Sequence, residues 1–150
     1  MKTDLTVAGC VIHNGKALLI KHKKLGLWLF PGGHIEKDET PDDAVLREIR
    51  EEVSVSVRLV QQEHALAHGE IKALAMPFYV NLHSVGDHNH VGFYYLCAVS
   101  HGAPGDDVQI NDESLGFRWL TEEEIQQDST INPDIKRIAR MGFESYRDFR

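Results

Sequence analysis

Only two cysteines, no apolar run long enough to cross a bilayer and fewer cations than anions are the clearest shortages in this 150-residue chain. Cys10 and Cys97 fall in apolar, strand-like runs, where small buried thiols are expected and a disulfide framework is not. The 16 Lys and Arg against 23 Asp and Glu leave a formal charge of −7. Long nucleic acid is held by basic patches that displace counterions, so that partner is not expected. No run of about 18 apolar residues occurs, and Met1-Lys-Thr-Asp-Leu-Thr-Val has no apolar leader core. Neither membrane association nor export is expected, and the cytoplasm is the expected compartment. Linkers and internal repeats are also lacking, which points to one domain over residues 1–150. Hydrophobic residues at 42% and charged residues at 26% exclude a disordered chain. A chain of this length buries about two-thirds of its unfolded surface.

What is present alternates between strand and helix patterns. Leu5 to Ile12 alternates and is rich in β-branched residues, and Asn14-Gly15 turns it into Ala17 to Ile20 as a hairpin. Gly26 to Phe30 reads as a short extended run, broken by Pro31-Gly32-Gly33. Thr40 before Pro41, with Asp42 and Asp43 in the first turn, is a strong helix start. That helix runs to about Val53, with Val45, Ile49 and Val53 on the stripe that packs against a sheet. Further strands are expected at Val55 to Val60, Ile71 to His83, Gly92 to Val99 and Phe117 to Leu120. Gly102 to Asn111 is the longest polar loop. Thr121-Glu-Glu-Glu124 is a capping box opening a short helix, and Asn132-Pro133 opens the last one. The mixture gives an α/β or α+β sandwich.

Within the first helix, Glu48, Glu51 and Glu52 stand at i, i+3 and i+4 and project from one face within about 5–6 Å of each other. Three carboxylates that close raise one another's pKa unless a cation sits among them. Hard oxygen donors suit Mg²⁺ or Mn²⁺, and Mg²⁺ held by a few carboxylates keeps positions free for a phosphate-bearing substrate. The cluster reads as a metal site for phosphate chemistry.

Gly33, Glu39, Arg47, Glu48, Ile49, Glu51, Glu52 and Val55 fill, in register, a pattern that resembles the signature of the Nudix hydrolases. The approach Leu27-Trp28-Leu29-Phe30-Pro31-Gly32-Gly33 is also similar. Ser54 stands where the family has glycine, which implies a differently shaped turn at the end of the helix. The resemblance implies an α/β/α sandwich with a curved mixed sheet and a loop-helix-loop catalytic motif. It also implies Glu48 and Glu52 as principal Mg²⁺ ligands, Glu51 completing the cluster or bridging a second ion, and the Gly33 carbonyl as an additional ligand. Glu39 and Arg47 would form a supporting bidentate pair. The water-activating base is either Glu48 or Glu113, the latter in the segment Asn111-Asp112-Glu113 ahead of Arg118-Trp119.

Nine histidines are many for this length, and His83, His88 and His90 cluster. His88 and His90, two apart at the head of a strand, face one side of the sheet. With His83 they could bind a substrate phosphate, stack on a base or hold a transition metal, although no cysteine lies at a ligand-like spacing to favour zinc. They are the candidate substrate-binding residues. Lys21, Lys23 and Lys24 read as a solvated turn that could also meet a phosphate. The activity implied is Mg²⁺-dependent hydrolysis of a phosphoanhydride bond, in a nucleoside diphosphate linked to another group or in a nucleoside triphosphate. The alternative is a nucleotide-binding or isomerase domain of the same fold that cleaves no pyrophosphate. The expected partner is a small nucleotide-type substrate, and a homodimer is left open.

Overall fold

Alternation opens β1 (Thr3–His13), and a continuous apolar run buried on both faces, Ala17 to Ile20, carries β2 (Lys16–His22). They pair antiparallel with Ile12 opposite Ala17 and His13 opposite Lys16. Asn14 and Gly15 between them have φ of 51° and 75°, the two positive values that a tight primed hairpin turn demands. The computed structural model describes residues 2–61, 69–100 and 107–149. Among these, β3 (Trp28–Leu29), β4 (Gly32–His34), α1 (Pro41–Val53), β5 (Val57–Leu59), β6 (Tyr79–Ser84), β7 (Asn89–Val99), β8 (Ser114–Leu120), α2 (Glu122–Gln127) and α3 (Pro133–Phe149) follow.

The strands form one mixed sheet in the order β3-β2-β1-β7-β5, with β4 also on β1, β6 on β7 and β8 on β2. The central β1–β7 pairing is parallel and runs from Thr3 opposite Asn89 to Ile12 opposite Ala98. Because strand side chains alternate in direction, β1 sends Val7 and Val11 to one face and Cys10 and Ile12 to the other. The first face packs against Ala44, Val45, Ile49 and Val53 of α1, joined by Leu18, Ile20, Tyr95 and Cys97. The second packs against Ile135, Ile138, Ala139 and Phe143 of α3, joined by Leu19, Leu96 and Leu120. This is the expected α/β/α sandwich. Each fully buried aliphatic side chain contributes roughly 1.5–3 kcal/mol, so the stripe Val45, Ile49, Val53 suffices to fix which way α1 faces. Cys10 and Cys97 are free and buried, one on each face. No helix among the described residues is long and apolar enough to cross a membrane.

Several boundaries differ from the sequence expectation. Pro31-Gly32-Gly33 is not merely a break, since Gly32–His34 forms β4 and pairs with Ala8, Val7 and Thr6. The strand expected over Ile71 to His83 contracts to Tyr79–Ser84. Pro77 has no N–H to give a ladder, and the Ala75 N–H is taken by the buried Asp42 carboxylate at 2.9 Å. Ile71 and Met76 stand in solvent. The strand near Val55 shortens to Val57–Leu59, whereas β7 begins three residues early at Asn89 and β8 at Ser114. Residues 102–106 of the long polar loop lie outside the described residues.

β4 approaches β1 so closely that a Cβ on Gly32 would lie 2.1 Å from the Val7 carbonyl oxygen and 2.7 Å from the Ala8 Cα. Both neighbours are backbone and cannot step aside. Gly32→Ala should therefore cost on the order of 3 kcal/mol or more, read as a lowered urea midpoint. Gly116→Ala in β8, where an added Cβ meets nothing within 4 Å, should leave the midpoint unchanged or slightly raised. Equal midpoints for the two variants would refute the close approach of β4.

Candidate active site

The helix that carries the acids is fixed at both ends by local chemistry. The Thr40 side chain accepts the Asp43 N–H at 3.1 Å, Pro41 occupies the first turn, and Asp42 and Asp43 stand at the positive end of the dipole. At the other end Ser54 has φ 59° and ψ 29°, so the turn is not differently shaped, as its side chain had implied. Ser54 takes the left-handed conformation that glycine would favour. Its N–H reaches the Arg50 carbonyl at 3.0 Å and its hydroxyl donates to the Gln109 carbonyl at 3.2 Å, contacts that offset the Cβ strain.

Arg47 organises the acidic face. Its Nε and Nη2 donate to the two oxygens of Glu39 at 2.6 and 2.9 Å. Nη1 donates to Glu48 at 3.0 Å and to Glu51 at 3.1 Å. Nη2 also donates to the His34 carbonyl at 3.0 Å. One guanidinium thus joins the loop after β4, α1 and β4 itself. The Arg47 hydrogen bonds hold the Glu39 carboxyl below the usual range, and Glu39 in turn pushes Arg47 up.

Glu48 lies against Gly33. A Cβ on that glycine would stand 2.5 Å from the Glu48 carboxyl carbon, so the carboxylate occupies the space a side chain would fill, beside the β4 backbone. Glu52 is buried, with Oε1 accepting the Gly32 N–H at 3.1 Å. Burial, with the negative charges of Glu48 and Glu113 adding to it, pushes Glu52 up to about 8. Burial likewise raises Glu48. Glu51 is the most exposed of the three.

Residues 107–113 bring Glu113 to this wall. The Gln109 and Asn111 N–H groups bond the Val53 and Glu52 carbonyls at 3.0 and 3.1 Å, and the Asn111 amide donates to the Glu51 carbonyl at 3.3 Å. The segment therefore closes the C-terminal end of α1. The Glu113 N–H donates to the Asn111 side chain at 3.0 Å, and the Glu113 carbonyl accepts the Lys23 N–H at 2.9 Å. Glu113, Asp112, His22, Lys23 and Lys24 line an open cavity of about 550 Å³. Lys23 and Lys24, read as a solvated turn in the sequence, thus share a cavity with Glu113, brought there by the pairing of β2 with β8.

The histidines gather elsewhere. Gly33 faces α1, so the next residue, His34, turns to the opposite face of the sheet, and the register places His90 beside Asp4 and His83 beside His90. His83, His88 and His90 come together with one another and with His34 and Asp4, not with Glu48, Glu51 and Glu52. Burial and the surrounding histidines hold His90 below its ordinary pKa. Asp4 and His34 escaped the sequence reading. Only the parallel pairing of β1 with β7 reveals Asp4, and only the recognition of β4 as a strand reveals His34.

A hard divalent cation fits the glutamate cluster: two buried or half-buried carboxylates carry raised pKa values and a backbone segment without side chains lies beside them. The metal-free protein should show this in its stability. Glu52 holds a proton in the native state between its ordinary 4.5 and about 8, whereas the unfolded chain has lost it. Stability of the metal-free protein should fall as pH rises through that window. Melting temperatures taken in chelator from pH 5 to 8 should slope downward, and Glu52→Gln should flatten the slope. Saturating Mg²⁺ should raise the melting temperature most at the alkaline end. A slope identical in Glu52→Gln would remove Glu52 as its source.

The NUDIX domain family matches residues 3–141 of the chain. Phosphatase NudJ of Escherichia coli K12 is 32% identical over 139 residues, covering 89% of this chain and 78% of that protein. An 8-oxo-dGTP diphosphatase of Proteus vulgaris is 44% identical over 73 residues, 45% of this chain and 65% of that enzyme. The crystal structure of a NUDIX-family hydrolase from Clostridium perfringens superposes with a TM-score of 0.79 at 25% identity, covering 97% of this chain and 99% of that one. With the glutamate motif inside the matched span and the same fold along nearly the whole length, the chain belongs to the Nudix hydrolases.

Proposed function

We propose that the protein is a Mg²⁺-dependent pyrophosphohydrolase that cleaves a phosphoanhydride in a nucleoside diphosphate linked to another group or in a nucleoside triphosphate. The observation that carries this reading is the cluster of Glu48, Glu52 and Glu113, raised in pKa at its buried members, with Glu48 against the Gly33 backbone and Glu113 lining a cavity that also bears Lys23 and Lys24. Glu48 and Glu52, with Glu51 and the Gly33 carbonyl, would hold Mg²⁺, which supplies charge neutralisation on the phosphate oxygens and acidifies water. Mn²⁺ satisfies the same oxygen donors.

The chain's own groups do the rest. Lys23 and Lys24 meet the negative charge of the phosphates that enter the cavity. Glu113, tethered at its backbone to Lys23 and to Asn111, takes the proton of the attacking water, with Glu48 the competing base. Arg47 touches no substrate in this reading. It fixes the Glu48 and Glu51 carboxylates against Glu39, and so positions the ligands. His83, His88 and His90 face the other side of the sheet and receive no substrate contact. All signature glutamates are present, which favours hydrolysis over a domain that only binds or isomerises.

A panel of nucleoside triphosphates, sugar nucleotides, dinucleoside polyphosphates and ADP-ribose, each with Mg²⁺ and scored for phosphate, pyrophosphate and nucleotide products, tests the reading. Turnover of none of them would overturn it. Glu52→Gln keeps the shape and removes a charge, and should lower turnover by orders of magnitude with an unchanged circular dichroism spectrum. Wild-type turnover at limiting Mg²⁺ would sink the ligand assignment.

Glu113→Gln separates base from ligand. It should lower kcat by ~10²–10⁴-fold with little change in the Mg²⁺ concentration that gives half-maximal rate. Glu48→Gln should instead raise that concentration. Normal turnover in Glu113→Gln would return the base role to Glu48.

A further inference from the structure

We propose that Asp4, His34, His88 and His90 form a second metal site, for a divalent transition ion of the Zn²⁺ class, on the sheet face opposite the glutamates. These residues arrive from β1, β4, the β6–β7 turn and β7. No step of the hydrolytic reading uses their side chains.

Three pairs of donor atoms stand near the spacing of a coordination sphere. Metal–nitrogen and metal–oxygen bonds of about 2.0–2.1 Å in a tetrahedron put neighbouring donor atoms about 3.3–3.4 Å apart. Asp4 Oδ2 stands 3.5 Å from His34 Nε2 and 3.5 Å from His88 Nε2. His88 Nε2 stands 3.1 Å from His90 Nε2. Donor atoms of Asp4, His34 and His90 all lie within 4.8 Å of one another. His88 stands outside that group, close to Asp4 and His90 alone, and its closure with His34 requires a shift of the His34 side chain, which is 57% exposed.

The surroundings support the same donors. Asp87 Oδ1 lies 2.7 Å from His88 Nδ1, so that nitrogen carries the proton and the Nε2 lone pair points toward Asp4 and His90. A carboxylate behind an imidazole in this way fixes the tautomer of a metal-ligating histidine and raises its basicity. On the next strand His83 is oriented by Asn81 Oδ1, 3.0 Å from its Nδ1, and its ring walls the site edge-on to His90 at 5.3 Å between centroids. The absence of a nearby cysteine, which weighed against zinc in the sequence, is met by ligands the sequence order conceals. Asp4 and His34 come from strands far from the triplet.

Three imidazoles and one carboxylate select an ion of borderline softness, whereas the oxygen-only cluster on α1 selects Mg²⁺. The two faces of the sheet would therefore sort two metals. The ion would clamp β4 to β1 and β7. β4 holds Gly33 beside Glu48, and the His34 carbonyl accepts from Arg47, so the clamp would steady the hydrolytic wall without entering it.

Equilibrium dialysis of the full chain against Zn²⁺, in saturating Mg²⁺, tests the site. One Zn²⁺ should bind per chain with a rise in melting temperature, and Glu52→Gln should bind it equally well. The double variant His88→Asn, His90→Asn should weaken binding by at least ~100-fold, and Asp87→Asn by ~10–100-fold. Asp87 is fully exposed on its turn, so its variant remains informative if the double variant does not fold. Co²⁺ in place of Zn²⁺ should give the intense visible absorption of a tetrahedral site. No Zn²⁺ bound in excess Mg²⁺, or Zn²⁺ retained at full affinity by both histidine-face variants, would overturn the proposal. So would Zn²⁺ lost in Glu52→Gln, or a weak octahedral Co²⁺ spectrum. The group would then be an imidazole hydrogen-bond chain.

Discussion

A single guanidinium sets the geometry on which the rest of the carboxylate wall depends. Arg47 places a rigid planar fork against both oxygens of Glu39 and still has donors for Glu48, Glu51 and the His34 carbonyl. Lysine could not substitute, because a point charge on a flexible stem cannot serve that many acceptors at fixed angles. The arrangement also answers an electrostatic problem. Carboxylates this crowded repel one another when no cation sits among them, and Arg47 offsets part of that repulsion at Glu48 and Glu51. It leaves Glu52 uncompensated, and burial there drives the pKa up.

Strand alternation divides the chemistry between two faces. In β4, Gly33 turns toward α1 and His34 away from it, and β1 and β7 carry the same division through Val7 against Asp4 and through Val91 against His90. A one-residue slip of β4 would exchange the two faces and destroy both the carboxylate wall and the imidazole group. The close approach at Gly32 excludes the slip that would bring Pro31 there, and Glu48, packed in the space above Gly33, opposes the slip that would bring His34 to that position.

The helix was legible because every signal for it is local. Thr40, Pro41, Asp42, Asp43 and the stripe Val45, Ile49, Val53 act within the helix or one turn beyond it, and Glu48, Glu51 and Glu52 share a face by period alone. What the sequence concealed depends on pairing. Pro31-Gly32-Gly33 looks like a break because glycine and proline disfavour strands, yet the same lack of side chains lets β4 lie against β1. The apolar run from Ile71 reads as strand, but Asp42 takes the Ala75 N–H and Pro77 offers none. Asp4 meets His90 only through a parallel pairing between strands 86 residues apart in sequence, and periodicity carries no trace of that. The same holds for Lys23 and Lys24, which only the pairing of β2 with β8 brings to the cavity that Glu113 lines.

Ser54 shows how tertiary contacts override a residue preference. Left-handed backbone costs a Cβ-bearing residue roughly 1–2 kcal/mol, which is why glycine is the residue of choice there. Here the Ser54 hydroxyl donates to Gln109, a hydrogen bond that glycine could not make, and the neighbouring N–H groups of Gln109 and Asn111 cap the last carbonyls of α1. The strained turn is thus part of the joint that seats residues 109–113 on the helix end. Glu113 follows directly from that joint, so the departure from glycine lies on the same structural path that brings the candidate base to the glutamate wall.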